Sequence, residues 1–97
     1  MSSSSRADLD VRRRRILFRS WHRGMKEVDL ILGGFAEAQI ADLSEAELDD
    51  FETLLEAQDR DVFGWITGEF KIPELFATVL FQKICAFHTH LKPIHSA

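Results

Sequence analysis

The sequence predicts an all-α fold, a compact five-helix bundle in a single domain. Three observations carry that prediction. Apolar residues recur at i, i+3, i+4 and i+7 in successive segments, the spacing of one buried helical stripe. The segments are joined by short stretches holding Gly, Pro or a capping side chain, with no convincing alternating run of the kind a half-buried strand needs. A chain of 97 residues is enough for one hydrophobic core and not for two.

Met1 to Ala7 is Ser-rich and expected to be disordered. It makes residues 1–8 a tail ahead of a helical domain over 9–91, with a second tail over 92–97. The first helix is read from Leu9 to His22, with Asp8 or Asp10 as its N-cap. Leu17 and Trp21 lie four apart on one face, with Ile16 and Ser20 beside them. Gly24 marks a turn or a close approach. The second helix runs from Lys26 to Ala41 and carries the stripe Val28, Ile31, Leu32 and Phe35. Gly33 and Gly34 each cost about 1 kcal/mol against Ala in a helix interior, so they either admit a close helix crossing or weaken the middle.

The third helix has the clearest start. Ser44 and Glu47 form an S-x-x-E capping box, and Leu43 can staple to Leu48. Its stripe continues through Phe51 and Leu55, with Leu54 at the edge, while Asp49, Asp50, Glu52 and Glu56 read as a solvated face. Asp59 is expected to cap a short fourth helix with Val62, Phe63 and Ile66, ended by Gly68. Pro73 is expected to open the fifth, with Phe76, Val79, Leu80, Ile84 and Phe87 as its stripe and Pro93 as its stop. Short connections predict roughly antiparallel packing of neighbouring helices.

The formal net charge of −4 hides a split. Residues 1–27 hold eight Lys/Arg against three Asp/Glu, and residues 28–97 hold four against thirteen, so the two parts carry +5 and −9. The basic part is densest at Arg12-Arg13-Arg14-Arg15, followed by Arg19 and Arg23. Taken alone, such a run is most simply a solvated helix end. Read more sharply, it is a docking face for an acidic or phosphate-bearing partner. The acidic remainder would repel a nucleic-acid backbone, so no nucleic acid is expected as a partner.

No apolar run approaches the ~20 residues that span a bilayer, so no membrane insertion is expected. The lone Cys85 cannot form an internal disulfide. The first fifteen residues lack the apolar stretch of a signal peptide and carry Asp8 and Asp10, which a mitochondrial transit peptide avoids. These features fit a reducing compartment, and a cytoplasmic location is expected.

Evident catalytic equipment is missing. There is no G-x-G-x-x-G, no P-loop and no G-x-S-x-G, so neither an enzyme nor a tight nucleotide binder is expected. Cys85-x-x-His88-x-His90, with His95 beyond, resembles a zinc ligand set, but His90 turns away from the other two on a helix and His95 follows Pro93. No metal is expected. One stretch calls for more than packing: Trp21-His22-Arg23-Gly24-Met25-Lys26-Glu27. A helical joint often uses Gly, but here Arg23 supplies a planar fork of donors and Glu27 two acceptors around the same turn. Gly24 removes the side chain that would hold a partner's backbone away. The expectation is a small flat recognition patch beside a basic helix.

The R-G-x-x-E motif, Arg23-Gly24-Met25-Lys26-Glu27, is set between Arg14-Arg15-Ile16-Leu17 and Leu30, with Trp21 before it and Val28-Asp29 after it. Downstream stand Leu54-Leu55-Glu56 and Asp59-x-Asp61-Val62-Phe63-x-Trp65. Over residues 12–68 these two signatures resemble the small FAD assembly factors of succinate dehydrogenase, bacterial relatives of the mitochondrial succinate dehydrogenase assembly factor 2. Val62 stands where that family more often has Leu. The resemblance implies a five-helix domain that binds the flavoprotein subunit of succinate dehydrogenase and promotes covalent attachment of FAD to a histidine of that subunit. Some members also serve fumarate reductase. It implies that FAD is attached to the partner and not held tightly by this chain. It implies a partner-binding surface of Arg23, Gly24 and Glu27, with Trp21, Met25 and Asp29 around them and Asp61, Phe63 and Trp65 from the second signature. Arg13 and Arg14 are expected at its rim, where charge acts on association rate. The competing classes are a nucleic-acid-binding module and an antitoxin-like interaction module, both using the basic first helix.

Overall fold

The structure is a computed structural model that describes the backbone of residues 9–91 and the side chains through His88. Five α-helices and two single 3₁₀ turns follow in order: α1 (Val11–Trp21), α2 (Lys26–Gln39), a 3₁₀ turn (Ile40–Asp42), α3 (Glu45–Leu55), α4 (Asp59–Thr67), a second 3₁₀ turn (Glu74–Phe76) and α5 (Val79–Leu91). There is no strand among the described residues, and the all-α reading holds. The two terminal tails lie outside the described residues.

Most helix starts follow the sequence, and two do not. Asp10 caps α1 by accepting from the Arg13 amide at 2.7 Å. That bond holds the Asp10 carboxyl below the usual carboxylate range. At α3 the capping box is complete, with Ser44 Oγ accepting from the Glu47 amide and Glu47 Oε1 accepting from the Ser44 amide. Asp59, expected as the cap of α4, is its first helical residue, and Gln58 occupies the cap without a side-chain bond. Pro73 opens only the second 3₁₀ turn. The Thr78 hydroxyl accepts from the Phe81 amide and does the capping work that Pro73 was expected to supply. The stripe keeps its register, with Leu80 and Ile84 buried and Phe87 packed against the core, but Val79, the first residue of α5, is 61% exposed and Phe81 is buried beside Leu80.

The core is continuous. Phe35 and Phe51 lie at its centre with ring centroids 6.1 Å apart, and Phe87 meets Phe35 edge-on. Val28, Leu32, Leu48, Val62, Leu80 and Ile84 are fully buried around them. Of the helices adjacent in sequence, only α1 and α2 form one of the main contacts between helices. The others are between helices distant in sequence: α1 with α3, α2 with α4 and α5, and α3 with α5. The α1–α2 crossing depends on Gly33. A β-carbon there would land inside the Trp21 indole, so of the two roles open to Gly33 the close crossing is the correct one.

A candidate partner-docking turn

The α1–α2 joint is organised by one arginine. The Arg23 side chain is only 9% exposed. Its Nε donates to Asp59 Oδ1 at 2.7 Å, one Nη to the Leu55 carbonyl at 2.6 Å and the other to the Ala57 carbonyl. Leu55 is the last residue of α3, where carbonyls lack intrahelical partners and the helix end is negative. Asp59 opens α4, where a carboxylate suits the positive end. The guanidinium therefore ties the α1–α2 joint to the end of α3 and the start of α4. This corrects the expectation that the Arg23 fork lies on the surface beside Glu27. Three acceptors that converge behind the turn claim the fork instead, and nothing local in the sequence announces a partner 36 residues away.

The backbone of the turn is fixed as well. Asp29 Oδ1 accepts from the Arg23 amide at 2.7 Å, so Asp29 holds the turn from behind. Gly24 has φ +108°, a left-handed conformation that costs an L-residue roughly 1–2 kcal/mol. Space is not the constraint, since a β-carbon there would meet Asp59 Oδ2 at an ordinary 3.7 Å. Met25 is the N-cap of α2 without a side-chain bond and packs against the core. Gly24, Lys26 and Glu27 are exposed, and among the described residues Glu27 forms no salt bridge. The motif thus has a rear half that builds the turn and a front half that is open.

The remaining expected residues fall into separate settings. Trp21 lies over Gly33 and donates from Nε1 to Glu37 at 3.1 Å. Asp61 is exposed on α4, Phe63 packs partly into the core, and Trp65 stacks on Phe76 at 4.7 Å. Arg13 is not a free rim charge. It bonds Asp10 and donates to the carbonyls of Ile40 and Leu43, closing the end of α2. Arg12 reaches Glu45, Asp49 and Glu52, and its bonds to Glu52 and Asp49 push its guanidinium above its ordinary pKa. Arg19 pairs with Glu56. The acidic side of α3 is solvent-exposed at Asp49 and Glu56, as expected, and it also pairs with α1 through Arg12 and Arg19, which the sequence did not announce. Arg14 is exposed as expected.

For a metal, the set Cys85, His88, His90 and His95 is only partly within the described residues. His88 Nε2 lies 2.7 Å from the Ile31 carbonyl, and burial pushes the Cys85 thiol up. The side chain of His90, and His95 altogether, lie outside the described residues.

Sequence reasoning passed over Phe18 and named His22 only as part of the Trp21–Glu27 stretch. Phe18 is 62% exposed and stacks on His22 with centroids 4.0 Å apart. The signal was available: Phe18 falls one position after buried Leu17 and four after Arg14, on the polar side of α1.

A family model described as the flavinator of succinate dehydrogenase matches residues 14–88. Among curated proteins, the FAD assembly factor SdhE of Acetobacter pasteurianus is 39% identical over 89 residues, covering 86% of this chain and 82% of that protein. The mitochondrial succinate dehydrogenase assembly factor 2 of Dictyostelium discoideum is 37% identical over 78 residues, covering 80% of this chain and 55% of that protein. The Saccharomyces cerevisiae protein of the same name is 39% identical over 67 residues, 69% of this chain and 41% of its own length. The chain thus spans about half the length or less of these two mitochondrial relatives.

Proposed function

The chain belongs to the family of flavinators of succinate dehydrogenase, and from that premise we propose that it docks on the flavoprotein subunit through the open half of its turn, Gly24 and Glu27. Docking promotes covalent attachment of FAD to that subunit, in the cytoplasm. The observation that supports this most is the division within the motif. Arg23 and Asp29 fix the turn from behind, while Glu27 stands exposed without an ion pair among the described residues. A carboxylate held on a rigid turn is a ready acceptor for an Arg or a backbone N–H of a protein surface.

The mechanism is positional. The described residues hold no glycine-rich strand-to-helix turn for a diphosphate, so FAD stays with the partner. The assembly factor holds the partner in the conformation that brings flavin and target histidine together, an effect of proximity and orientation. Glu27→Ala is expected to keep the fold, lose co-purification with the flavoprotein subunit and lower in-gel flavin fluorescence of that subunit. Calorimetric titration with FAD separates this from delivery: low-micromolar direct FAD binding, about −8 kcal/mol, would sink the positional mechanism.

A further inference from the structure

The second open feature of the molecule is on α1. A cleft of about 270 Å³ is lined by Arg14, Leu17, Phe18, Trp21 and His22. Its walls are mostly apolar, and its prominent side chain is the exposed Phe18 ring on His22. The His22 ring is fixed, because Nδ1 lies 2.7 Å from the Phe18 carbonyl. A carbonyl only accepts, so Nδ1 carries a proton. Arg14 lines the cleft and Arg15 stands three residues before Phe18 on α1; neither forms a salt bridge among the described residues, whereas Arg12, Arg13, Arg19 and Arg23 all do.

We propose that this cleft, with Arg14 in its wall and Arg15 next along α1, seats an acidic segment of the flavoprotein partner, with one apolar side chain of that segment packed against Phe18. The proposal rests on the functional reading above and adds a second contact to it. The charge argument selects the occupant. Two unpaired guanidinium groups beside an aromatic ring suit carboxylates flanking an apolar residue. An extended polyanion fits poorly, because residues 28–97 carry −9 and two free arginines neutralise few phosphates. Position agrees, since His22 directly precedes the Arg23-Gly24 turn.

The test is the kinetics of binding to immobilised flavoprotein subunit lacking covalent flavin. Phe18 and the two arginines are exposed, so their variants keep the fold. Phe18→Ala is expected to weaken binding about tenfold or more through faster dissociation, where most interface changes register. Arg14→Glu combined with Arg15→Glu is expected to slow association about tenfold at low salt, with the deficit shrinking as salt rises. Glu27→Ala, run beside them, separates the two readings. If it abolishes binding while Phe18→Ala stays within about twofold of the parent, below what an anchor side chain loses, the cleft assignment falls and the functional reading stands. If the parent itself does not bind the subunit, both fall. Faster association after the charge reversal would overturn the acidic segment. A dimer that Phe18→Ala converts to monomer, with subunit binding intact, would assign the cleft to a second copy of the chain.

Discussion

Six arginines lie between Arg12 and Arg23, and the fold treats them in two ways. Arg12, Arg13, Arg19 and Arg23 are held by carboxylates or helix-end carbonyls, with Arg23 nearly buried and Arg19 in an exposed pair with Glu56. Arg14 and Arg15 face outward beside an exposed aromatic ring. The same residue type is therefore paired at four positions and open at two. A run of like charge in a sequence measures the arginine supply, and only the partners in three dimensions decide how much becomes a docking field.

The sharpest way to break this division is at Arg23. Its loss leaves Asp59 and two helix-end carbonyls without their shared donor. Arg23→Ala is expected to lower unfolding stability by about 3 kcal/mol, the low end for breaking a buried pair, read as a drop in the urea midpoint. Lysine is expected to restore little, because one ammonium cannot serve three acceptors in the fork geometry. A loss under about 1 kcal/mol, the range of surface ion pairs, would place Arg23 with Arg14 and Arg15.

Overpacking the α1–α2 crossing gives the next effect. Gly33→Val pushes the Trp21 indole off its seat and is expected to cost about 1–3 kcal/mol, with a change in tryptophan fluorescence. Arg14→Ala with Arg15→Ala is expected to leave stability within about 0.5 kcal/mol of the parent. A larger loss would show that these two are scaffold after all.

The smallest effect is a control far from α1. Lys83 donates to Glu47, and this bond, ahead of the Ser44 amide, holds the Glu47 carboxyl below the usual range. A depressed carboxylate contributes stability that is present above its unfolded value near 4.5 and is lost as pH falls through its folded value. Thermal unfolding between pH 5 and 2.5 is expected to lose less stability in Lys83→Ala than in the parent. Parallel curves would remove the pair from the acid response.

The fold was legible because its signals are local. The capping box at Ser44, the stop at Gly68 and the stripes of α2 and α3 each lie within one or two turns of chain. The start of α5 was misread because Pro73 is a stronger local signal than Thr78, yet only Thr78 caps the α-helix. At the docking turn, Gly24 and Glu27 were readable from the motif. The role of Arg23 was not, because its acceptors at Leu55, Ala57 and Asp59 arrive through tertiary packing. Phe18 was overlooked because it stands in the run Ile16-Leu17-Phe18, where only the register shows that Phe18 takes the side away from the core.

The central claim is that one short motif is divided between building the turn and meeting the partner. The direct measurement is a paired one on Glu27→Ala and Arg23→Ala: urea unfolding of each, and binding of each to the flavoprotein subunit. The account predicts that Glu27→Ala unfolds like the parent, within about 0.5 kcal/mol, yet loses subunit binding and covalent flavin yield, while Arg23→Ala loses stability first and binding in consequence. Glu27→Ala that binds and flavinylates like the parent, or Arg23→Ala that loses binding at full stability, would contradict it.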